Sequence, residues 1–159
     1  MKIRTGFGYD VHQLHNGVEF WLGGIKIDYH KGAVGHSDAD VLIHAICDAL
    51  LGAANLRDIG YHFSDKDPAY KGIDSKILLK KVVKLVQEKG YSIGNIDSTV
   101  ALEAPKVNPR IEEMKKTLSK IMNIDLDDIS IKATTSEKMS FVGKGNGIAA
   151  YASVLIISS

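Results

Sequence analysis

Two short segments concentrate the side chains able to do chemistry. The first is Tyr9-Asp10-Val11-His12, an acid and an imidazole two residues apart. The second is GHSDADVLIHAICDALLGAA, residues 35–54, nearly all apolar or small, in which Asp40, His44 and Asp48 recur every fourth position. On a helix that spacing stacks the three along one face. On a strand, alternate residues face the same side, so Asp10 and His12 point together. D-x-H on a strand plus one helical histidine supplies two imidazoles and a carboxylate. That is the donor set of an open zinc site, with three protein ligands and a position left for water or substrate. His36 and Ser37 stand where the helix begins, and the free N–H groups and dipole of a helix start favour anions. A metal beside such a terminus suits phosphate. The same residues have plainer readings, the stripe as the solvated edge of a packed helix and His36 as a loop histidine. A solvated stripe usually carries Lys, Glu or Arg, and this one has none.

These groups need elements to hold them. IRTGFGYDVH favours extended structure. VEFWL and IKIDY flank Gly23-Gly24, a two-residue turn signal for an N-terminal β-hairpin. The first helix is expected to run to about Ala54, with Ser37 as N-cap and Asp40 three residues on in a box-like arrangement. Residues 55–72 read as a long loop, unusual in a small domain unless it has a task. DSKILLKKVVKLVQEKG is an amphipathic helix capped by Asp74 or Ser75, with Gly90 at C′. IDSTVALE reads as a strand, Asn108-Pro109 opens a third helix, and Ile129–Thr135 and GIAAYASVLIIS read as strands. The strand–helix–strand unit over 96–135 should form a right-handed parallel crossover. The expected class is α+β (mixed α/β), a mixed sheet with three helices on one face plus the hairpin.

The 159 residues suggest one domain, 1–159, able to bury roughly 70% of the surface the unfolded chain exposes. Cys47 is the only cysteine, so no intrachain disulfide can form, and its apolar surroundings mark it as a core residue. A net charge of +1, with the charges dispersed, offers no basic face for nucleic acid and no membrane anchor. No apolar run reaches the ~20 residues of a membrane span. MKIRTGFGYDVHQL lacks the apolar core of a secretory leader. The expectation is a cytoplasmic protein, or one of a plastid-type organelle had a transit peptide been removed. Neither glycine segment is a nucleotide loop. GFGYDV lacks the third glycine and following helix of the dinucleotide fingerprint, and GKGNG lacks the phosphate-loop spacing.

GYDVH, GHSDADVLIHAICDALLGAA, DIG, the F-x-D-x-D loop, EAPK and KATTSEKMSFVGKGNGIA occur in this order. Together they resemble the 2-C-methyl-D-erythritol 2,4-cyclodiphosphate synthase family, over essentially the whole chain. The resemblance implies a lyase of the non-mevalonate isoprenoid route. It would convert 4-diphosphocytidyl-2-C-methyl-D-erythritol 2-phosphate into the cyclic diphosphate and CMP. It further implies a homotrimer with sites between subunits, one supplying the metal ligands and its neighbour most of the cytidine pocket.

Carried over by position, the resemblance assigns Zn2+ to Asp10, His12 and His44, and a second divalent cation, Mg2+ or Mn2+, to Glu137. His36 and Ser37 would contact phosphate, with His36 and Thr135 stabilising the transition state. Asp58, Ile59 and Gly60 would bind the erythritol hydroxyls under a closing loop of Phe63, Ser64, Asp65, Lys66 and Asp67. Leu102, Glu103, Ala104, Pro105, Lys106, Val107 and Asn108 would frame the cytosine. Thr134, Thr135 and Ser136 would hold the diphosphate, flanked by Phe141 and Lys144. Many members carry arginine at position 144, glutamate at 146 and proline at 64, where this chain has Lys144, Asn146 and Ser64. Lysine is a point charge and cannot make the planar bidentate contact of arginine. Asp40 and Asp48 are expected to orient the metal-bound imidazole or to face substrate. Apart from the resemblance, the residues also fit a zinc phosphohydrolase using a metal-bound hydroxide. They fit equally a non-catalytic trimer whose structural zinc is completed by His15, His30 or His62.

Overall fold

The computed structural model describes residues 1–158. Strand β1 (Lys2–Asn16) is the longest element and the backbone of a five-stranded sheet. The hairpin strands β2 (Phe20–Leu22) and β3 (Ile25–Ile27) follow, then β4 (Lys31–Val34) and helix α1 (Val41–Ala53). A one-turn helix α2 (Ile59–His62) precedes α3 (Ser75–Glu88) and β5 (Tyr91–Ala101). Next come α4 (Ile111–Met122), β6 (Ile129–Thr134), a second one-turn helix α5 (Ser140–Gly143) and β7 (Gly147–Ser158). The sheet order is β4-β1-β7-β5-β6. β5 and β6 pair in parallel across α4, as the strand–helix–strand pattern requires, and the other pairs are antiparallel.

The hairpin forms with Gly23 and Gly24 both at positive φ (60° and 80°), the conformation a tight two-residue turn demands. It makes its own two-stranded sheet rather than adding strands to the main one. The 55–72 segment is not structureless, since α2 and a 3₁₀ turn at Pro68–Tyr70 interrupt it. Asn108–Arg110 is likewise a 3₁₀ turn, and α4 proper starts at Ile111. Ser37 does not cap α1. Ala39 takes a left-handed φ of 57°, the helix starts two residues later, and the Asp40 carboxylate accepts the Ile43 N–H (3.1 Å).

α1 is buried at ten of its 13 positions, so it forms the middle of the core, between sheet and remaining helices. Fully buried Leu42, Ile46 and Leu50 each contribute roughly 1.5–3 kcal/mol. The helix lies on β1 at backbone contact. A Cβ on Gly8 would sit 1.9 Å from the Ala45 carbonyl oxygen, and one on Gly6 the same distance from that of Ala49. Two strand residues advance ~6.8 Å and four helix residues ~6 Å, so the pairs Gly6–Ala49 and Gly8–Ala45 run in step. The next step along β1 is Asp10, opposite the first turn of α1 and within reach of His44. Among the described residues no helix is long and apolar enough to cross a membrane.

Candidate metal centre and its two cavities

The D-x-H pair and the helical histidine converge. Asp10 Oδ2 lies 2.9 Å from both His12 Nε2 and His44 Nδ1, and the two nitrogens are 3.3 Å apart. Among the described residues this is the one group of three His, Cys, Asp or Glu side chains so gathered. The tautomer of His12 follows from its other nitrogen. Nδ1–H donates to the Val34 carbonyl (3.0 Å), and a carbonyl can only accept, so the neutral ring turns its Nε2 lone pair toward Asp10 and His44. Burial disfavours the Asp10 charge, but hydrogen bonds and charges from His12 and then His44 outweigh it and bring its pKa to about 2. For His12, burial lowers the pKa, but the Asp10 carboxylate, with the Val34 carbonyl and the Asp40 charge, outweighs it and the net shift is upward. An ionised carboxylate and two converging imidazoles, half-buried and with no fourth His, Cys, Asp or Glu donor among the described residues, fit a tetrahedral divalent cation with one open position.

The three stripe residues have three different tasks. His44 belongs to the cluster. Asp40 is fully buried and turned away from it, its carboxylate accepting from Gly23 N–H (3.0 Å), Gly24 N–H (2.7 Å) and Ile43 N–H. Burial raises its pKa against those bonds. Asp40 thus caps α1 and pins the hairpin turn to it. Asp48 accepts the Ile59 N–H (2.8 Å) and so fixes the start of α2, the Asp58-Ile59-Gly60 segment. Burial raises its pKa too, with Asp58 and Asp10 adding repulsion. The His44 ring instead reaches Ser75 Oγ (2.9 Å) and Ser37 Oγ (3.2 Å) through Nε2. The Ser75 hydroxyl in turn bonds the Asp38 carboxylate. Neither Ser75 nor Asp38 stands out in the sequence, where Ser75 reads only as a helix cap.

The cluster opens into a cavity of about 420 Å³ whose walls include Asp10, His12, His36, Ser37, His44, Ile59, Gly60, Phe63 and Asp65. Gly35, Tyr70, Ile73 and Leu78, unremarkable in the sequence, complete it. His36 Nε2–H donates to the Asp67 carbonyl (2.9 Å), tying the 63–67 loop to the mouth. Asp58, Ser64, Lys66 and Asp67 lie in the same segments but do not line the wall. A second cavity, about 180 Å³, is lined by Leu102, Glu103, Pro105, Lys106, Val107, Asn108, Ala133, Thr134 and Thr135, with Ala104 joined to Pro105 by a cis peptide. Its edges are tied by Ser136 N–H to the Glu103 carboxylate (3.2 Å) and Glu137 N–H to Thr135 Oγ1 (3.3 Å). Phe141 packs on Gly147, Lys144 ends α5, and with Ser136 and Glu137 they line neither cavity.

Sheet register relates the two cavities. Val11, Ala149, Ala101 and Thr134 lie on one row across β1, β7, β5 and β6. The Asp10 end and the Thr134 end are therefore level but three strand spacings apart, roughly 14 Å. They also face opposite ways. Asp10 and His12 lie on the side packed by α1, whereas Thr134 alternates with inward-facing Ile129 and Ile131.

The family model described as YgbB family matches residues 3–157. The chain belongs to the YgbB family. It is 67% identical over 156 residues to the 2-C-methyl-D-erythritol 2,4-cyclodiphosphate synthase of Parabacteroides distasonis, covering 98% of this chain and 97% of that one. Among solved structures, the bifunctional IspDF of Campylobacter jejuni superposes with a TM-score of 0.96 at 37% identity, over 99% of this chain and 43% of that longer protein. The IspF of Plasmodium falciparum in complex with CDP matches with a TM-score of 0.87 at 34% identity, over 99% of this chain and 97% of that one. This YgbB family chain thus shares the fold of a nucleotide-bound relative along nearly its whole length.

Proposed function

We propose that this YgbB family chain, as one catalytic unit over 1–159, performs the cyclodiphosphate synthase reaction of the non-mevalonate isoprenoid route. In 4-diphosphocytidyl-2-C-methyl-D-erythritol 2-phosphate, a 2-phosphate oxygen attacks the β-phosphorus. The bond from that phosphorus to the bridging oxygen breaks, CMP leaves with the electron pair, and the cyclic diphosphate closes. The observation that carries this is the convergence of Asp10, His12 and His44 at the mouth of a cavity, in a chain so similar to proteins of that name. The alternative of a structural zinc loses support. His15 Nε2 sits by Gln13 Oε1 (3.0 Å), His62 donates to the Leu56 carbonyl (2.7 Å), and neither they nor His30 is gathered with Asp10, His12 and His44.

A phosphate monoester has a second pKa near 6, so the nucleophile is mostly ionised at neutral pH and needs no base. The barrier is repulsion between anions and the entropy of ring closure. Zinc held by Asp10, His12 and His44 would supply Lewis-acid polarisation of a phosphoryl oxygen. A second cation, magnesium or manganese, fits the exposed Glu137 carboxylate, since such ions take one or two protein carboxylates plus substrate phosphates. Ser37 Oγ already accepts the Ala39 N–H (3.2 Å), leaving its proton for a phosphate oxygen. His36, tied to Asp67, would bring the 63–67 loop down as it meets phosphate. Asp58, Ile59 and Gly60 would hold the diol, residues 102–108 the cytosine, Thr134 to Ser136 the diphosphate, with Phe141 and Lys144 flanking.

The proposal includes a homotrimer with shared sites. The sheet face opposite the helices exposes apolar side chains along β1 and β7: Phe7 is 66% and Ile3 55% exposed, and Tyr9, Val11 and Tyr151 are uncovered beside them. A neighbour seated there would bury that face, and the shared site would form where its second cavity adjoins the cavity beside Asp10, His12 and His44. A cytoplasmic location belongs to the same proposal. The test is incubation with the cytidyl substrate, zinc and magnesium. CMP and the cyclic product are expected, and His44→Ala should abolish turnover while the metal-free protein still melts cooperatively. Inorganic phosphate without CMP, or full activity in H44A, would reject the reading.

A further inference from the structure

Ser75 is fully buried at the first position of α3, and its hydroxyl lies between the Asp38 carboxylate and His44 Nε2. A hydroxyl has one proton to give, and a carboxylate at neutral pH can only accept, so that proton goes to Asp38. Ser75 Oγ is left as an acceptor toward His44, which places an N–H on Nε2. In a neutral imidazole the lone pair is then on Nδ1, the nitrogen 2.9 Å from Asp10 Oδ2 and 3.3 Å from His12 Nε2. Asp38 is itself held. Its carboxylate accepts from Ser75 N–H (3.0 Å) and Asp40 N–H (3.2 Å), and its own N–H donates to the Ile73 carbonyl (3.1 Å).

We infer that Asp38 and Ser75 are a positioning pair that sets the tautomer and orientation of His44, so that its Nδ1 lone pair faces the metal. The inference rests on the metal reading of Asp10, His12 and His44. It displaces Asp40 and Asp48 from the role their spacing suggested, because both carboxylates are bonded elsewhere. It also joins the start of α3 to the metal: Ser75, 31 residues from His44, reads out the register between α3 and α1.

The test compares zinc affinity by chelator competition in the unaltered protein, Ser75→Ala and Asp38→Asn. S75A removes the nearer acceptor of His44 Nε2 and leaves only Ser37 Oγ, at 3.2 Å. D38N keeps the size but lets an amide N–H donate to Ser75 Oγ, turning the hydroxyl proton toward His44 and the imidazole proton onto Nδ1. Both are expected to lose roughly 10–100-fold in zinc affinity. In the zinc-loaded protein the His44 Nε2–H proton resonance should be protected from exchange, and it should be lost in S75A and D38N, a signature a purely structural change would not produce. D38N, nearly isosteric, carries the test should S75A fail to fold. Unchanged affinity and an unchanged resonance in the folded variants overturn the inference alone. No zinc binding by the unaltered protein overturns the metal reading, and the inference with it.

Discussion

Replacing Gly8 by alanine tests whether the fit of α1 on β1 is what builds the metal cluster. The added Cβ would lie 1.9 Å from the Ala45 carbonyl oxygen and 2.8 Å from the Ala49 nitrogen. Both are backbone atoms, so no rotamer change relieves the contact. Cβ contacts below 3.0 Å are not sustained, and α1 must retreat from β1 by about 1.1 Å or more. His44 adjoins Ala45, so the retreat reaches its Nδ1, now 2.9 Å from Asp10 Oδ2. Metal–ligand distances tolerate about ±0.2 Å. G8A is therefore expected to lose more zinc affinity than the roughly 100-fold at the upper end for a displaced supporting residue. Overpacking at a backbone contact costs about 3 kcal/mol, which lowers Tm by roughly 6–12 °C in a chain of this length. The control is Gly52→Ala, on the same helix with open space around it. It should raise stability by up to ~1 kcal/mol, since glycine is the poorer helix former. Chelator competition and thermal melts of the metal-free proteins decide. A G8A protein with unaltered zinc affinity and Tm would refute the claim that this contact places His44.

Asp48→Ala frees the Ile59 amide and loosens the 58–60 segment. KM should rise roughly tenfold, the worth of one hydrogen bond to a charged group, while zinc affinity holds; a fall in zinc affinity would return Asp48 to the metal. In the metal-free protein Asp10 has a folded pKa of about 2 against 3.8 unperturbed. A depressed carboxylate contributes stability above its unfolded pKa that is lost as pH falls through the folded one. The urea midpoint should thus drop between about pH 4 and pH 2, and Asp10→Asn should flatten that part of the curve. Mixed trimers test the shared site. His44→Ala and a second-cavity variant, Thr135→Ala with Lys106→Ala, each inactive alone, should recover about one quarter of full activity on equal mixing; no recovery would confine each site to one chain.

What the sequence made legible is what short-range geometry determines. Alternation put Asp10 and His12 on one side of β1, the four-residue spacing put His44 on a helix face, and Gly23-Gly24 marked a turn that forms as read. The spacing could not distribute tasks among Asp40, His44 and Asp48, because those depend on partners far along the chain. Asp40 meets Gly23 and Gly24, 17 and 16 residues away. A buried carboxylate that collects three backbone N–H groups is a cap, and that need overrode the box pattern that made Ser37 the N-cap. Ser75 and Asp38 escaped notice for the same reason. Their link is 37 residues long, and each is unexceptional beside its own neighbours. The interruptions at 59–62 and 68–70 are single turns, shorter than any period a sequence pattern can display.

The distribution of the two cavities carries a consequence for assembly. The metal half is assembled from side chains of one chain, by the glycine-spaced contact of β1 with α1 and the Asp38–Ser75 link to α3. The cavity around Lys106 and Thr135 stands three strands away, at the ends of β5 and β6. A substrate whose phosphates rest at Asp10, His12 and His44 would have to span three strands, roughly 14 Å, to place its base in that cavity of the same chain. On the proposed reading it meets the neighbour's copy instead, where two subunits adjoin beside the cavity of Asp10, His12 and His44. Metal affinity would then be a property of the folded subunit, unaffected by dilution. Turnover would be a property of the trimer and would fall once subunits part, because dissociation removes the base pocket and leaves the cation in place.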